Sequence, residues 1–300
     1  MTSWTYGHRK RFWQKVKGEE RAPNVSASIE SKEGDLLTEK EEVHRRWREH
    51  FSQLFQNEGS DCVGEPQGDV VSHELADEIM TEETRRMIGK LKSGKAGGVC
   101  EIQGEMLKAG GEVIVEWLTA IFNTVWRLGV TPREWRRAVI IPIHKKGNRR
   151  DCKNYRGISL LSVPGKVFAR ILNDRMRCKT EGKIMEEQVG FRPGRGCTEN
   201  VFVIRQLGEK MLERGKKLYA AFLDLEKAYD RVWREGLWRA LEQYGVEGRL
   251  LRAIQSLYQD SEAAVKVGEE ITDWFQVERG VRQGCPMSPW LFNIYLDVVM

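Results

Sequence analysis

The composition excludes several classes of protein before any motif is considered. The 300 residues are 40% hydrophobic and 31% charged, which is typical of one large or two modest folded domains and excludes a disordered or fibrous protein. There is no signal-peptide core, no apolar run near the ~20 residues of a membrane span, and no Cys-x-x-Cys pair among the six cysteines. We therefore expect an intracellular protein with reduced thiols, in the nucleus, the cytoplasm or both.

The first 135 residues predict a connector followed by helices. Residues 1–70 form the connector, with one amphipathic helix from Thr38 to about Gln56 whose apolar residues share one face. Residues 71–135 form a helical extension, and its longest helix runs from Glu112 to Arg127. Apolar spacing in that helix predicts burial of five side chains. They are Val113, Trp117, Ile121, Val125 and Leu128.

The net charge of +5 is unevenly placed along the chain. Between Arg133 and Arg156 there are nine Lys or Arg residues against two acids. Such a local positive field attracts phosphate backbones. An ordinary solvated loop would have the same composition, so the alternatives are a nucleic-acid contact and a surface without a ligand.

Residues 136–214 predict a strand, a basic loop and two helices. The strand runs from Ala138 to Ile143, and the first helix is opened by Ser162 and Pro164. Before the second helix, residues 187–198 carry three glycines, a proline and two arginines. This tight, positively charged loop would let a ligand approach the backbone closely, although ordinary surface turns have similar compositions.

The stretch Leu-Tyr-Ala-Ala-Phe-Leu-Asp-Leu-Glu-Lys-Ala-Tyr-Asp at residues 218–230 contains the candidate catalytic centre. Its apolar half, Leu218 to Leu223, predicts a strand buried on both faces. Burying an acidic side chain at the end of a strand costs free energy unless its charge is neutralised by a partner. A bound divalent cation is one such partner. Asp224 is therefore a candidate metal ligand, with a turn cap or an ion pair as the alternative. We expect Asp230 to cap or to pair near the same turn.

Four segments of the chain resemble one protein family. Residues 223–230 resemble the first palm motif of reverse transcriptases from non-LTR (LINE-type) retrotransposons. Three more segments follow that family's order, namely Asn-Tyr-Arg-Gly-Ile-Ser at 154–159, Gln-Val-Gly-Phe-Arg-Pro-Gly-Arg at 188–195 and Arg-Gln-Gly-Cys-Pro at 282–286. Several separate motifs that occur in the family's order identify the family more specifically than any single motif does.

The resemblance covers about Ser93 to Met300 and implies an α+β fold. It implies right-hand polymerase fingers over residues 136–214 and a partial palm over residues 215–300, preceded by a helical connector. The palm would be an antiparallel sheet backed by helices.

The resemblance also implies roles for individual residues. Asp224 would be catalytic and would hold Mg²⁺ together with Leu225. A nucleotide pocket would contain Lys146, Arg156, Tyr229, Gln283 and Gly284. Contacts to template or primer would come from Arg192, Arg195 and Arg282. Tyr229 would act as a sugar gate, because its ring would crowd a ribose 2′-hydroxyl and tolerate a deoxyribose.

The implied function is that of an RNA-directed DNA polymerase. Its partners would be an RNA template, a DNA primer and deoxynucleoside triphosphates, and two Mg²⁺ ions would support nucleotidyl transfer. The family's second carboxylate motif, aromatic-x-Asp-Asp, is not found in these 300 residues, so we expect no polymerase activity from this chain alone. The alternatives are a non-catalytic RNA- or DNA-binding remnant and a non-functional relic. A viral RNA-dependent RNA polymerase fits less well, because Tyr229 would exclude a ribose hydroxyl.

Overall fold

The computed structural model describes residues 28–57 and 78–299, which form helices packed around one main sheet. Residues 1–27 and 58–70 of the predicted connector lie outside the described part. The strands are β1 (Ile29–Glu30), β2 (Leu36–Leu37), β3 (Arg137–His144), β4 (Tyr155–Leu161), β5 (Glu262–Val267), β6 (Glu270–Ile271) and β7 (Phe275–Gln276). The helices are α1 (Lys40–Phe55), α2 (Thr81–Gly89), α3 (Gly104–Ala109), α4 (Gly111–Leu128), α5 (Arg133–Arg136), α6 (Val163–Thr180), α7 (Cys197–Glu213), α8 (Arg234–Gln243), α9 (Gly248–Ser256) and α10 (Ser288–Val299).

The main sheet has the order β4-β3-β5-β6, and β7 also pairs with β5. Strands β3 and β4 form an antiparallel hairpin whose register ends at His144 opposite Tyr155. Strand β5, in contrast, runs parallel to β3. The α+β class and the sheet with flanking helices are confirmed, but the sheet is mixed rather than antiparallel throughout. The reason is that the chain reaches β5 through helices, and a crossover of that kind delivers a parallel strand.

Two hydrophobic clusters lie in the described structure. The larger contains Phe168, which is fully buried, with ring centroids 5.4 Å from Phe122 and 5.6 Å from Trp135. The smaller lies under α1, where Trp47 meets the Tyr155 ring at 4.9 Å between centroids. The amphipathic helix α1 is thus confirmed, although it begins at Lys40 without a side-chain cap from Thr38. Within the described ranges, no helix combines the length and apolar character needed to cross a membrane.

Helix α4 presents a different face to the core from the predicted one. Of the five side chains expected to be buried, Val125 is buried, whereas Val113, Trp117, Ile121 and Leu128 are exposed. The helix has apolar residues on two sides, and its neighbours α2 and α9 select the side that contains Phe122. The spacing of apolar residues shows that a helix has an apolar side. When a helix has two apolar sides, the spacing does not show which of them is buried.

The predicted strand at residues 218–223 does not form. Residues 216–225 have no regular secondary structure, and Tyr219, Phe222 and Leu223 are about four-fifths exposed (86%, 83% and 79%). A strand needs a neighbour to pair its backbone groups, and β3 already has β4 on one side and β5 on the other. The prediction of a doubly buried strand is therefore wrong for the described structure, because none of its strands pairs with this segment.

Candidate functional site

The turn before α8 and the loop before α10 are joined by two backbone hydrogen bonds. The amide of Val281 donates to the Tyr229 carbonyl oxygen, and that of Gly280 donates to the Val232 carbonyl oxygen, both at 2.8 Å. Gly280 has φ +85°, and a Cβ at this position would lie 2.6 Å from the carbonyl oxygen of Asp230. The close contact between the two segments therefore requires glycine.

The same loop also contacts the edge strand β4. The amide of Ser159 donates to the Gln283 carbonyl oxygen at 2.7 Å. Gly284 follows with φ +125°, and a Cβ there would lie 2.6 Å from the Ser159 carbonyl oxygen. Gln283 and Gly284 are thus held against the hairpin that carries the predicted triphosphate residues.

A buried carboxylate lies beneath this loop. The side-chain amide of Gln283 donates to both carboxylate oxygens of Asp230, at 2.9 and 3.0 Å. Asp230 is only 6% exposed, and this burial raises its pKa to about 6, against the opposing effects of the Gln283 hydrogen bond and of Lys227 and Lys145. The prediction of a local cap for Asp230 misses this partner, because Gln283 is 53 residues away in sequence.

Positive charge accumulates at the same end of the sheet. Lys227 is half-buried with a left-handed backbone (φ 51°), and its burial lowers its pKa. The hairpin loop begins with Lys145 and Lys146, and Arg156 lies opposite Ile143 in the hairpin register. Lys145, Lys146 and Arg156 are exposed, and none of them forms an ion pair within 4.0 Å inside the described part of the chain. Sequence reasoning identified Lys146 and Arg156 but gave no role to Lys145 or Lys227.

Tyr229 is fixed between two aromatic rings from distant segments. Its ring stacks on Phe292 of α10, with centroids 4.8 Å apart and planes 18° apart. Phe191 approaches edge-on at 6.5 Å and 79°. Burial raises the pKa of Tyr229, so its hydroxyl is protonated at neutral pH. Phe191 itself has φ 57°, an uncommon conformation for a bulky residue.

The predicted metal ligands lie apart from this cluster. Asp224 and Leu225 belong to the exposed irregular segment, and Asp224 makes no hydrogen bond or ion pair to other described residues. Over residues 28–57 and 78–299, no group of three or more His, Cys, Asp or Glu side chains is placed to hold a metal ion. Since Mg²⁺ binds several oxygen ligands, a single carboxylate at Asp224 does not complete such a site.

Two of the three predicted nucleic-acid contacts are internal. Arg192 is 8% exposed and Arg282 is 9% exposed. Arg192 donates to the carbonyl oxygens of Met185, Gln188 and Glu181 at 2.9, 3.2 and 3.4 Å. Arg282 donates to those of Trp135 at 2.8 Å, Arg136 at 3.0 Å and Leu257. Backbone carbonyl oxygens thus bind both guanidinium groups, where contacts to template or primer were expected. Arg195 remains partly exposed and pairs with Glu186 at 2.5 Å.

Comparison with known proteins matches residues 143–300 to the family "Reverse transcriptase (RNA-dependent DNA polymerase)". The RNA-directed DNA polymerase from mobile element jockey of Drosophila melanogaster is 30% identical over 221 residues, which are 72% of this chain and 24% of that protein. The Transposon TX1 uncharacterized 149 kDa protein of Xenopus laevis is 33% identical over 59% of this chain and 14% of its own length.

A third relative covers nearly the whole chain. The probable RNA-directed DNA polymerase from transposon BS of Drosophila melanogaster is 26% identical over 95% of this chain and 32% of that protein. The chain thus spans about a third or less of the length of these relatives. The family match extends over more than half of the chain, and the jockey relative over more than two thirds. This chain belongs to the reverse transcriptase family, and its relatives are the RNA-directed DNA polymerases of non-LTR retrotransposons.

Proposed function

We propose that the junction between the β3–β4 hairpin, the turn at Tyr229 and the loop at Gln283 receives the incoming deoxynucleotide of a retrotransposon RNA-directed DNA polymerase. In this proposal residues 136–214 are the fingers and residues 215–300 are part of the palm. The observation that supports the proposal is the Tyr229 ring, which Phe292 holds in place beside the loop at Gln283–Gly284. The nearby hairpin carries basic side chains that form no ion pair within the described residues.

Tyr229 is suited to select the sugar by steric exclusion. One face of its ring is covered by Phe292 at 4.8 Å, so the ring cannot tilt toward that side to make room. A ribose 2′-hydroxyl placed against the ring would lose water without gaining a partner, and this costs free energy. A deoxyribose carries no such hydroxyl at that carbon.

The basic hairpin is suited to hold the triphosphate. Lys146 supplies a point charge, and the planar guanidinium of Arg156 can donate to two phosphate oxygens at once. Both side chains are exposed, and their donors are not taken up by acids within the described residues. Lys145 and Lys227 add positive charge beside Asp230. Charge on a transferring phosphoryl group is stabilised by such donors.

Reverse transcriptases use divalent metal ions. We propose Mg²⁺ as the ion, with the Asp224 carboxylate and the Leu225 backbone carbonyl as two of its ligands. Water and phosphate oxygens would be further ligands, since no group of three or more His, Cys, Asp or Glu side chains in the described residues is placed to hold a metal ion. An RNA template and a DNA primer are the proposed macromolecular partners.

The test is sugar discrimination by the polymerase that contains this chain. Tyr229→Val should raise incorporation of ribonucleotides relative to deoxynucleotides in primer extension on an RNA template. Tyr295→Val is the matched control, since Tyr295 also packs on the larger core cluster but is not part of the proposed pocket. Equal discrimination in the wild type and in Tyr229→Val would remove Tyr229 from the proposal.

The 300-residue chain by itself gives a second test. We expect it to show no template-directed deoxynucleotide incorporation with Mg²⁺, because its described carboxylates do not complete a metal site. Incorporation that is abolished by Asp224→Ala would show that these residues suffice for catalysis, and the proposed need for further ligands would be wrong.

A second candidate function is RNA or DNA binding without catalysis, which the unpaired basic hairpin favours. Binding by the isolated chain should weaken steeply with added salt and should not change in Asp224→Ala. Lys146→Gln and Arg156→Gln should each reduce the salt slope by about one. Arg133→Gln is the control, because that arginine pairs with Glu262 at 3.2 Å. Absence of binding even at low salt would exclude this function.

A further inference from the structure

The outer side of helix α4 is an apolar stripe. Val113, Trp117, Ile121 and Leu128 are 55%, 65%, 44% and 70% exposed, and Val130 just beyond the helix is 61% exposed. At 100° per residue the four helical positions fall within an arc of about 80°. The side chains therefore form one continuous surface, which is typical of a protein interaction site.

The two ends of this stripe have different shapes. Its first half presents the Trp117 side chain. Its second half contains a groove with a volume of about 420 Å³, lined among others by Ala120, Ile121, Thr124, Leu128, Val130 and Pro132. The residues that line the groove lie between Ala120 and Pro132. The stripe thus combines a large projecting ring with a recess next to small side chains.

Two opposite charges lie on the same flank of the stripe. Relative to Trp117, Glu116 and Arg127 are rotated about the helix axis in the same direction, by about 100° and 80°. Both are exposed. Glu116 has no ion-pair partner within 4.0 Å in the described part of the chain. Arg127 has only an exposed pair with Glu78 at 3.9 Å, which contributes little.

We propose that α4 pairs antiparallel with α4 of a second copy of this chain. A two-fold interface is self-complementary, so that residue i of one copy meets residue j of the other and the reverse. If Glu116 meets Arg127 of the second copy, the two-fold axis passes between Ile121 and Phe122. Each charge then lies about 8 Å from the axis along the helix.

The same register fits the shapes of the two surfaces. With the axis between Ile121 and Phe122, Trp117 of one copy lies level with residue 126 of the other, within the stretch from Ala120 to Pro132 that lines the groove. The shape of the stripe is thus compatible with the alignment that the charges select. A parallel pairing would place ring against ring and would put Glu116 and Arg127 of the two copies on opposite flanks, where they could not pair. This internal match favours a second copy over an unrelated partner.

A single pair of 18-residue helices is a small interface, and we expect a weak, concentration-dependent dimer. Sedimentation equilibrium from about 1 to 100 µM should show monomer and dimer. Trp117→Glu should raise the dissociation constant about 30-fold or more, because a central aromatic anchor is lost.

Glu116→Arg should also weaken the dimer, as should Arg127→Glu. The double variant Glu116→Arg, Arg127→Glu should restore it, and failure of this rescue would overturn the register.

Crosslinking measures the register directly. In a background with Cys62, Cys178 and Cys197 changed to serine, Ile121→Cys should crosslink to itself through a short thiol reagent. Val113→Cys should not crosslink to itself but should do so in a mixture with Val130→Cys. Efficient self-crosslinking of Val113→Cys would instead indicate a parallel pair and would contradict the proposal.

The exposed apolar residues of α7 are the matched control surface. Leu207 is 50% exposed and Leu212 is 78% exposed, so Leu207→Glu with Leu212→Glu should leave the dimer unchanged. A dimer that persists in Trp117→Glu and is lost in the α7 variant would overturn the proposal. So would a monomer throughout the concentration range, which would indicate another occupant of the stripe. None of these measurements depends on polymerase activity, so the proposed function is tested separately.

Discussion

Replacing Asp230 with asparagine tests the electrostatics of the junction with almost no change of shape. The carboxyl group is 6% exposed, and its two oxygens share one donor, the side-chain amide of Gln283. Burial raises its pKa from 3.8 to about 6, although Lys227 and Lys145 act in the opposite direction. Asparagine keeps an oxygen for the Gln283 hydrogen bond and does not ionise.

The sign of the effect follows from the two pKa values. Below about pH 4 the carboxyl group is protonated in both the folded and the unfolded state, and its burial carries no ionic cost. Between about pH 4 and pH 6 the unfolded state releases this proton while the folded state retains it, so stability is lost over this range and levels off above about pH 6. A difference of about 2 pH units corresponds to about 3 kcal/mol at pH 7. We expect Asp230→Asn to gain up to this amount at pH 7 relative to its effect at pH 4.

The assay is urea unfolding followed by tryptophan fluorescence at a series of pH values. The useful quantity is the difference in unfolding free energy between variant and wild type, because it cancels the titration of all other groups. Asp224→Asn is the matched control, since it makes the same replacement at an exposed carboxyl group. If the difference in unfolding free energy between Asp230→Asn and the wild type did not vary with pH, the reasoning would be refuted. A variant that becomes less stable with rising pH would show that the two lysines stabilise the anion more than burial opposes it.

Four further changes test other parts of the structure by the same unfolding measurement. Phe168→Ala should cost about 3–5 kcal/mol, because the ring is fully buried between two others. Burial lowers the pKa of His50 to about 3, so the wild type should lose stability relative to His50→Gln as the pH falls below 6.5. Gly280→Ala should cost more than about 1 kcal/mol, since its Cβ would meet a carbonyl oxygen at 2.6 Å. Arg282→Met should cost at least about 2 kcal/mol by leaving three carbonyl oxygens without a donor. A smaller loss would mean that water reaches these oxygens.

Elements with one apolar side were predictable from the sequence. The apolar face predicted for α1 consists of Val43, Trp47, Phe51, Leu54 and Phe55, of which the first four are buried and Phe55 is half-buried. Helix α4 has two apolar sides, and its buried side is chosen by α2 and α9, which local periodicity does not describe. The inverted prediction for α4 is also informative, because the residues expected in the core are the ones that form the exposed stripe.

Strand predictions depended on partners that the local pattern does not specify. For β3 the apolar run and the following loop sufficed, because its partner β4 is the next strand in the chain. The run at residues 218–223 is equally apolar, yet no described strand pairs with it. Its apolar composition favours burial, whereas its conformation depends on whether a neighbouring strand is available for pairing.

The candidate site was predictable only in part, because arginine and lysine side chains suit several ligands. A guanidinium group binds backbone carbonyl oxygens as readily as phosphate oxygens, and in Arg192 and Arg282 the carbonyl oxygens occupy it. The contribution of Lys227 was not visible either, because it depends on the fold that brings Lys145 near it.

The geometry of Tyr229 shows why a motif identifies a pocket residue without explaining how it works. The motif supplies the ring, but its orientation comes from Phe292 on α10 and from Phe191 in the loop before α7. Phe191 adopts a left-handed backbone, a conformation that costs about 1–3 kcal/mol and persists only when surrounding structure maintains it. Strain of this kind is common at ligand sites, and here it places an aromatic edge against the proposed sugar gate. Discrimination by Tyr229 should therefore depend on three segments far apart in sequence, and conserving the motif alone would not preserve it.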